Sequence, residues 1–240
     1  IDSLWAYLPR DTFFMPQLAI RAETSEEGKR VTTVKSEAIE AHIEGEYTYE
    51  TLPTSFVQIL KRYLPSLVGT TPPHVRKADN EFTFDLKLAD SKFYPYVLDI
   101  PLKISPAATL HGFISNKQER VELVGDVPYL TYGEDEYEIG KIRCNNSPER
   151  IAATFSIAKH VGEDARVSLM IDAQAKNDSL NTTLTWGNDS RITYAGNIET
   201  ETLFNKETEN SPYLQAEVRI KPSEIIINDT VWDVNTSIIR

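Results

Sequence analysis

The sequence predicts an all-β, mainly antiparallel protein, in which an elongated curled sheet or half-pipe has one apolar inner face and is accompanied by one amphipathic helix. Three observations predict this class. Apolar side chains recur at every second position, clusters of turn-forming residues separate the alternating runs, and only one stretch has helical spacing. A compact β-sandwich, whose two apolar faces cover each other, has the same alternation and stays open as the alternative fold.

The alternation is most regular from residue 80 onward. Between the apolar positions lie polar ones, such as Thr83, Asp85 and Lys87 on the first run. Because successive side chains of a strand point to opposite faces, one face is expected to be apolar and the other wet. The apolar positions that we interpret as the lining of a groove are Phe82, Phe84, Leu86, Leu88, Ile100, Leu102, Val167, Leu169, Ile171, Leu184, Trp186, Ile192, Tyr194, Ile198, Val218, Ile220, Trp232 and Val234.

Short polar segments join the alternating runs. They are rich in Gly, Asn, Asp and Pro, as in "YGEDE", "NNSPE", "KND" and "GNDS". These residues supply positive or fixed φ where the chain reverses, so the runs are predicted to form antiparallel hairpins. The run from Tyr137 and Ile139 to Ile142 and Cys144 changes phase at Gly140, and we interpret this change as a β-bulge that preserves the buried face.

The chain divides at a proline-rich segment. Residues 1–69 are predicted to hold strands and hairpins with the amphipathic helix, and residues 70–80, with adjacent prolines and no periodicity, are predicted to be a linker. Residues 81–240 are predicted to form a repetitive antiparallel array. Because this pattern stops abruptly, we expect the array to be truncated at its C-terminus.

The helix is predicted over residues 54–67. Thr54 or Ser55 is expected to cap its start, and Pro65 is expected to disturb its last turn. The apolar stripe at three-to-four spacing consists of Phe56, Leu60, Leu64 and Leu67. We expect this stripe to cover apolar surface, across or inside one end of the groove.

Composition excludes several classes of function. The formal net charge of −11, from 36 acidic and 25 basic residues, does not suit a phosphate-binding surface, so no nucleic-acid partner is expected. Cys144, the single cysteine, cannot form an internal disulfide, and its strand spacing predicts an inert buried thiol. The apolar runs are far shorter than the roughly 20 residues that cross a bilayer, so this segment is expected to be soluble.

The sequence predicts no catalytic, cofactor or metal site. His42, His74, His111 and His160 are scattered without metal-ligand spacing, and the acidic cluster at 134–136 lacks the spaced ligands of a calcium loop. We therefore expect a protein that is not an enzyme. The three tryptophans, Trp5, Trp186 and Trp232, suit a core or groove lining, with a carbohydrate platform as the alternative.

Several stretches resemble a known family. The ending "LQAEVRIKPSEIIINDTVWDVNTSIIR", with "LNTTLTWGNDSRITYAGNIETETLF" before it, resembles the C-terminal half of TamB-type translocation and assembly module proteins and, more broadly, the AsmA-like superfamily. The resemblance covers most of residues 80 to 240, and "NDTVWDV" is its most recognisable part. "IEGEYTYETLPTSFVQILKRYLPSLV" is similar to the β-plus-helix interruptions of these proteins.

The resemblance implies a segment of a long periplasmic protein whose parent chain is anchored in the inner membrane of a Gram-negative bacterium and continues beyond Arg240. Sheets of this family curl into an open half-pipe, or β-taco, whose hydrophobic groove carries phospholipid toward the outer membrane. The resemblance also implies a second role in outer-membrane biogenesis. In that role the parent assists outer-membrane protein insertion or secretion through an Omp85-type partner.

Three hypotheses about function remain open. The apolar face is a conduit for phospholipid acyl chains, with about 0.8 kcal/mol gained for each buried methylene. Alternatively, an exposed edge strand makes the segment a chaperone-like module for nascent outer-membrane proteins. The third hypothesis is a sugar-binding or adhesive sandwich that uses an exposed tryptophan.

Overall fold

The structure is a computed structural model of the 240-residue chain. Residues 4–7 and 12–15 are described as backbone strands, and the residues described in full are 17–69, 76–88, 101–161, 165–206 and 214–240. The described chain is mostly β-strand, with short helical pieces between residues 52 and 68. The predicted all-β class is confirmed.

The strands and helices follow one another in a simple order. The strands are β1 (Leu4–Tyr7), β2 (Thr12–Met15), β3 (Leu18–Thr24), β4 (Arg30–Ser36), β5 (Ile39–Glu46), β6 (Glu81–Leu88), β7 (Leu102–Ile104), β8 (Thr109–Ser115), β9 (Arg120–Tyr132), β10 (Asp135–Asn146), β11 (Ile151–Val161), β12 (Ala165–Lys176), β13 (Ser179–Asn188), β14 (Ala195–Asn205), β15 (Gln215–Ile220), β16 (Ser223–Ile227), β17 (Thr230–Val234) and β18 (Ser237–Ile239). The helical pieces between β5 and β6 are a 3-10 turn (Leu52–Thr54), α1 (Ser55–Leu60) and α2 (Pro65–Val68).

One 16-stranded sheet contains every described strand except β1 and β2, which pair with each other. Its main order is β17-β16-β14-β13-β12-β11-β10-β9-β8-β6-β5-β4-β3, with β15 and β18 beside β14 and β7 beside β9. All pairings among these strands are antiparallel. Within the described chain β3 and β17 do not pair, so the sheet is open and is not closed into a barrel. Its sixteen strands belong to one hydrogen-bonded sheet and not to the two separate sheets of the sandwich alternative.

Two hairpins are closed by the same Asn-Asp turn. Asn177–Asp178 connects β12 to β13 and Asn228–Asp229 connects β16 to β17, each as a two-residue loop. The φ angles are 51° and 59° in the first turn and 50° and 59° in the second. Positive φ at both positions is the type I′ geometry, whose twist matches that of the flanking strands, and Asn and Asp tolerate it. The predicted tight polar turns are confirmed at both places.

The bulge predicted at Gly140 is confirmed. The register between β10 and β11 shifts between Glu138 and Lys141, and Ile139 within the shift has φ 54°. The prediction that Ile139 belongs to the buried face is wrong, because this residue lies in the irregular part of the strand and its side chain is exposed. Cys144, beyond the bulge, is buried as predicted.

The strands on either side of the predicted linker are neighbours in the sheet. β5 pairs with β6 along its whole length, from Ile39 opposite Leu88 to Glu46 opposite Glu81. Residues 70–75 of the predicted linker lie outside the described residues. The two regions that the sequence separates are therefore joined through a shared hydrogen-bond ladder.

The helix predicted over 54–67 is divided in two. α1 ends at Leu60, and Leu64 has φ −131° and ψ 60°, outside the helical region, directly before Pro65. A proline disfavours the helical conformation of the residue before it, so Pro65 starts a new helix instead of disturbing the last turn of the first. The predicted cap is also wrong. Thr54 makes no capping hydrogen bond, and the Ser55 hydroxyl donates to the carbonyl of Thr51.

Residues 52–68, here called the brace segment, pack on the sheet along the rim formed by the β8–β9, β10–β11 and β12–β13 turns. Ile59, Tyr63 and Leu64 are its buried apolar side chains, and Phe56 and Leu60 pack beside them. The buried strand residues in the same cluster are Phe82, Ile114, Val121, Cys144, Ile151 and Ala175. Hairpin turns on one rim recur every second strand, or about 10 Å, so a helical segment rising about 1.5 Å per residue follows the row.

The predicted apolar stripe is correct in part. Leu64 is 4% exposed, whereas Leu67 is 41% exposed because α2 turns away after the proline. Ile59 and Tyr63, which the prediction missed, carry more of the contact than Leu67. Their i, i+4 spacing places them on one side of the helix and could have identified them from the sequence.

We expect Leu64→Glu to lower the free energy of unfolding by about 3 kcal/mol or more, because an ionised carboxylate would be buried without a partner. Leu67→Glu is the matched control and should change stability by less than about 0.5 kcal/mol. Urea denaturation of both variants measures the difference. Equal stability of the two variants would contradict the placement of the brace segment.

Candidate functional site

Cross-strand register identifies the side chains that share the inner face, defined as the face that carries Phe82. Ile171 of β12 lies opposite Phe155 of β11 and Leu184 of β13, and Leu184 lies opposite Ile198 of β14. Directly opposed residues of antiparallel strands have their side chains on the same face. A row of large apolar side chains therefore crosses four neighbouring strands.

A second row connects this part of the face to β6. It runs from β6 to β15 through directly opposed residues, namely Phe84, Gly112, Leu123, Cys144, Ala153, Ala173, Thr182, Thr200 and Ile220. Because each step keeps the same face, the predicted lining residues of β6 and of β12 to β15 lie on one continuous surface. The inner face thus extends without interruption from β6 to β15.

Most of the predicted lining residues lie on this face. Those that the register places there are Phe82, Phe84, Leu86, Leu88, Val167, Leu169, Ile171, Leu184, Trp186, Ile198, Val218, Ile220, Trp232 and Val234. Leu102 is half-buried in β7, opposite Tyr132. Ile100 lies outside the described residues.

The strand predicted through Ile192 and Tyr194 is wrong. β13 ends at Asn188 and β14 begins at Ala195, so both residues lie in the connection, and both are exposed. The Asn188 side chain explains this local structure. Its Nδ2 donates to the carbonyl of Ile192 (2.7 Å), and its Oδ1 accepts from the N–H of Tyr194 (2.8 Å), so side-chain hydrogen bonds replace the strand ladder.

Two glycines make room for aromatic rings on the inner face. A Cβ at Gly112 would lie 2.4 Å from the ring of Phe84, and a Cβ at Gly196 would lie 2.3 Å from the ring of Trp186. Each ring therefore lies over the glycine of the neighbouring strand. The aromatic side chains cover backbone that would otherwise be exposed on this face.

The opposite face is polar. On β12 the positions that alternate with Ile171 include Ser168, Asp172 and Gln174, and Asp172 accepts a hydrogen bond from the Thr154 hydroxyl (2.8 Å). Exposed ion pairs on this face, such as Lys35 with Glu40 (3.0 Å), contribute little to stability. They make this face polar, in contrast to the inner face.

Arg30 and Lys159 are charged residues at inner-face positions of the register. The Arg30 Nη1 donates to the carbonyl of Tyr47 (2.8 Å), and its guanidinium lies 5.0 Å from the centre of the Tyr49 ring. Lys159 pairs with Asp135, and this hydrogen bond raises the pKa of the Lys159 ammonium. Since both cations have partners within the protein, they do not make the inner face a phosphate site.

The accessibility of the inner face changes with distance from the brace segment. Beside it, Phe82, Val121 and Ile151 are buried. Farther along the strands Ile142 is 37% exposed, and Trp232 near the sheet edge is 56% exposed. Extended apolar surface that is accessible on a folded protein usually marks a site of interaction, so the open part of this face is the candidate functional site.

An open depression of about 810 Å³ is lined in part by Pro222, which lies between β15 and β16. Trp186 and Val234 contribute to its lining, but so do the carboxylates of Glu199, Glu224 and Asp233. This mixed lining does not suit an acyl chain. β15 and β16 pair with successive parts of β14 on either side of the proline, which lacks an N–H and so interrupts the ladder there.

Groups that could perform chemistry are dispersed. His42, His111 and His160 are partly exposed and each lies beside a carboxylate, while His74 is outside the described residues. In the described ranges no group of His, Cys, Asp and Glu could hold a metal ion. Burial raises the pKa of the Cys144 thiol, which disfavours the reactive thiolate.

None of the helices in the described part of the chain is both long enough and apolar enough to cross a membrane.

Comparison with known proteins gives no relatives. No family model matches the chain, no curated protein matches it, and no solved structure matches it. The functional conclusion therefore depends on the geometry of the inner face and on the resemblance described above.

We expect Cys144 to react slowly with a thiol reagent at neutral pH, because burial both shields the sulfur and raises its pKa. Its labelling rate should increase in denaturant. In a Ser168→Cys variant the added, exposed thiol should react rapidly under native conditions. Rapid native labelling of Cys144 itself would show that the packing between the brace segment and the sheet opens readily.

Proposed function

We propose that this chain is a segment of a periplasmic, bridge-like lipid transport protein and that its inner face is a conduit for phospholipid acyl chains between the inner and outer membranes. One observation carries the proposal: a row of large apolar side chains, Phe155, Ile171, Leu184 and Ile198, lies on one face of an open sheet and each of them is partly exposed. The resemblance to TamB-type proteins supports the cargo and the compartment.

The dimensions of the face suit an acyl chain. The row Phe155, Ile171, Leu184 and Ile198 spans three strand spacings, or about 14 Å. Half of a bilayer's hydrocarbon core is about 15 Å thick, which is the length of an acyl chain within one leaflet. Each methylene that leaves water for this face gains about 0.8 kcal/mol.

The chemistry of the face suits transfer rather than reaction. Acyl chains need apolar surface and no directed hydrogen bond, and the side chains along the row supply that surface. The charged headgroup stays in water because burying it would cost several kcal/mol. A chain held only by apolar contact can move along the ladder without breaking a specific bond.

A second function has a specific observation in its favour. β17 is the last strand of the sheet order, and Val231 and Trp232 on its two faces are both exposed. An extended peptide could add to such an edge, as a chaperone-like module for outer-membrane proteins requires. The lipid conduit is favoured because the apolar residues are spread across the whole inner face and not concentrated at this edge.

A photo-crosslinking amino acid tests which surface meets lipid. Placed at Ile171 or Leu184, it should capture phospholipid from vesicles, and mass spectrometry of the purified protein should detect the adduct. The matched controls are Met170, which precedes Ile171, and Thr185, which follows Leu184. These two residues oppose each other on the other face of the sheet. Equal capture from both faces, or capture of peptide alone, would reject the conduit and favour the strand-binding module.

Charge on the inner face should interrupt lipid binding. Ile171→Glu should reduce phospholipid uptake by about tenfold or more, because a carboxylate in the row brings water with it. Met170→Glu adds the same charge on the opposite face and should leave uptake unchanged. Native mass spectrometry measures bound phospholipid, and thermal unfolding establishes that both variants are folded. Unchanged uptake by folded Ile171→Glu would contradict the proposal.

A further inference from the structure

The two halves of the brace segment are attached to the sheet in different ways. The first half is held by a buried polar network in which Asn80 Nδ2 donates to the hydroxyls of Ser55 (2.7 Å) and Thr51 (3.0 Å). Ser55 and Asn80 have 0% and 1% of their surface exposed. Asn116 of the β8–β9 turn adds a hydrogen bond from its Nδ2 to the Ser55 carbonyl (3.0 Å). Separating buried polar groups that are hydrogen-bonded to each other leaves donors and acceptors without partners and is therefore costly.

Tyr63 fixes the middle of the brace segment. Its side chain is buried, its hydroxyl donates to the carbonyl of Ser147 in the β10–β11 turn (2.6 Å), and Asn146 Nδ2 donates to the same hydroxyl (2.7 Å). Leu64 beside it is buried as well. The firm attachment therefore extends from Thr51 to Leu64.

α2 is held mainly by one side chain. It contains no buried residue, although it contacts β14. The N–H and the hydroxyl of Ser66 donate to the two carboxylate oxygens of Asp178, at 2.7 and 3.0 Å, and the Asp178 N–H donates to the carbonyl of Tyr63 (2.8 Å). Leu64 occupies the N-cap position and has no polar side chain, so Asp178, 112 residues from Ser66, acts as the cap.

α2 lies at the rim where the inner face passes from β12 to β14. Leu180 of β13 and Phe204 of β14 are partly buried there and pack against the cluster that contains Tyr63 and Leu64. The Phe204 N–H donates to the carbonyl of Asp178 (2.8 Å), so the same turn joins α2 to this part of the sheet. Removal of α2 would lengthen the open part of the inner face toward the rim.

The geometry points to α2 as a lid over the rim end of the inner face at β13 and β14, hinged at Leu64–Pro65 and latched by Asp178. The hinge is at Leu64, the last of the four residues between α1 and α2, whose φ and ψ lie outside the helical region. The latch consists of hydrogen bonds to a single carboxylate. Opening the lid enlarges the apolar surface offered to a lipid. This last consequence depends on the proposed function, whereas the movement of the lid does not.

Asp229 supplies a matched control for Asp178. It has the same position in the other Asn-Asp turn and the same φ of 59°. Its carboxylate also accepts a backbone N–H from a separate segment, that of Thr193 (2.7 Å), and its own N–H donates to the Thr193 carbonyl (3.2 Å). Replacing either aspartate by alanine strains the turn equally, but only Asp178→Ala releases α2.

Electron-electron distance measurement between two spin labels tests the lid. The labels are attached at Leu67→Cys on α2 and Gln174→Cys on the outer face of β12, in a Cys144→Ala background. The parent and Asp229→Ala should give one narrow distance distribution. Asp178→Ala should give a broader distribution with longer distances, and Asp178→Asn, which keeps an acceptor for the Ser66 N–H, should stay close to the parent. A narrow distribution in Asp178→Ala, or equal broadening in Asp229→Ala, would overturn the lid.

Uptake of a fluorescent phospholipid from vesicles separates the lid from the proposed function. If both hold, Asp178→Ala should take up about two- to threefold more lipid than Asp229→Ala. A broadened distance distribution without any lipid uptake by either variant would support the lid and contradict the lipid conduit. Increased uptake without broadening would support the conduit and contradict the lid.

Discussion

The antiparallel register between neighbouring strands, which shifts at the bulge between β10 and β11, is the constraint on which the rest of this structure depends. Each directly opposed pair keeps its side chains on one face, so an apolar residue on β6 and one on β15 share a surface although many residues separate them in sequence. A slip of one residue at any ladder would move every apolar side chain of the following strands to the polar face. The bulge at Ile139 and Gly140 confines an irregularity to a short stretch: the register with β11 shifts there, and from Lys141 to Asn146 the direct pairing with β11 is regular.

Period-two alternation was sufficient to predict most of the inner face. Phe82 to Leu88 on β6 and Val167 to Ile171 on β12 alternate with polar residues, and a half-buried sheet has only one way to place such a pattern. Ile192 and Tyr194 show the limit of the method. They continue the alternation in sequence, but the Asn188 side chain binds the backbone around them and removes them from the ladder. Hydrophobic periodicity cannot predict a local side-chain to backbone hydrogen bond of this kind.

The brace segment was harder to predict because tertiary contacts decide its form. The helical spacing of Phe56, Leu60 and Leu64 was visible, but the break before Pro65 changes the direction of the last turn and exposes Leu67. The N-cap of α2 comes from Asp178, which no local rule could identify. The same limit applies to the contact between Tyr63 and the β10–β11 turn, since the two partners are 84 residues apart. A sequence pattern predicts which side of a segment is buried, but it does not predict which distant turn the segment contacts.

The open order of the sheet has a consequence for how the molecule unfolds. Among the described strands, β3 and β17 each have a neighbour on one side only. An edge strand therefore separates by breaking about half as many ladder hydrogen bonds as an interior strand. Loss of one edge then makes the next strand an edge, and the energy of each step is set by nearest neighbours, as in repeat proteins. We therefore expect the strands to unfold in sequence from the two edges of the sheet toward β9–β12. The longest strands and the buried cluster that contains Tyr63 lie there. Protection of backbone amides against hydrogen exchange would then increase from the edges to the middle of the sheet, where the amide protons would exchange most slowly.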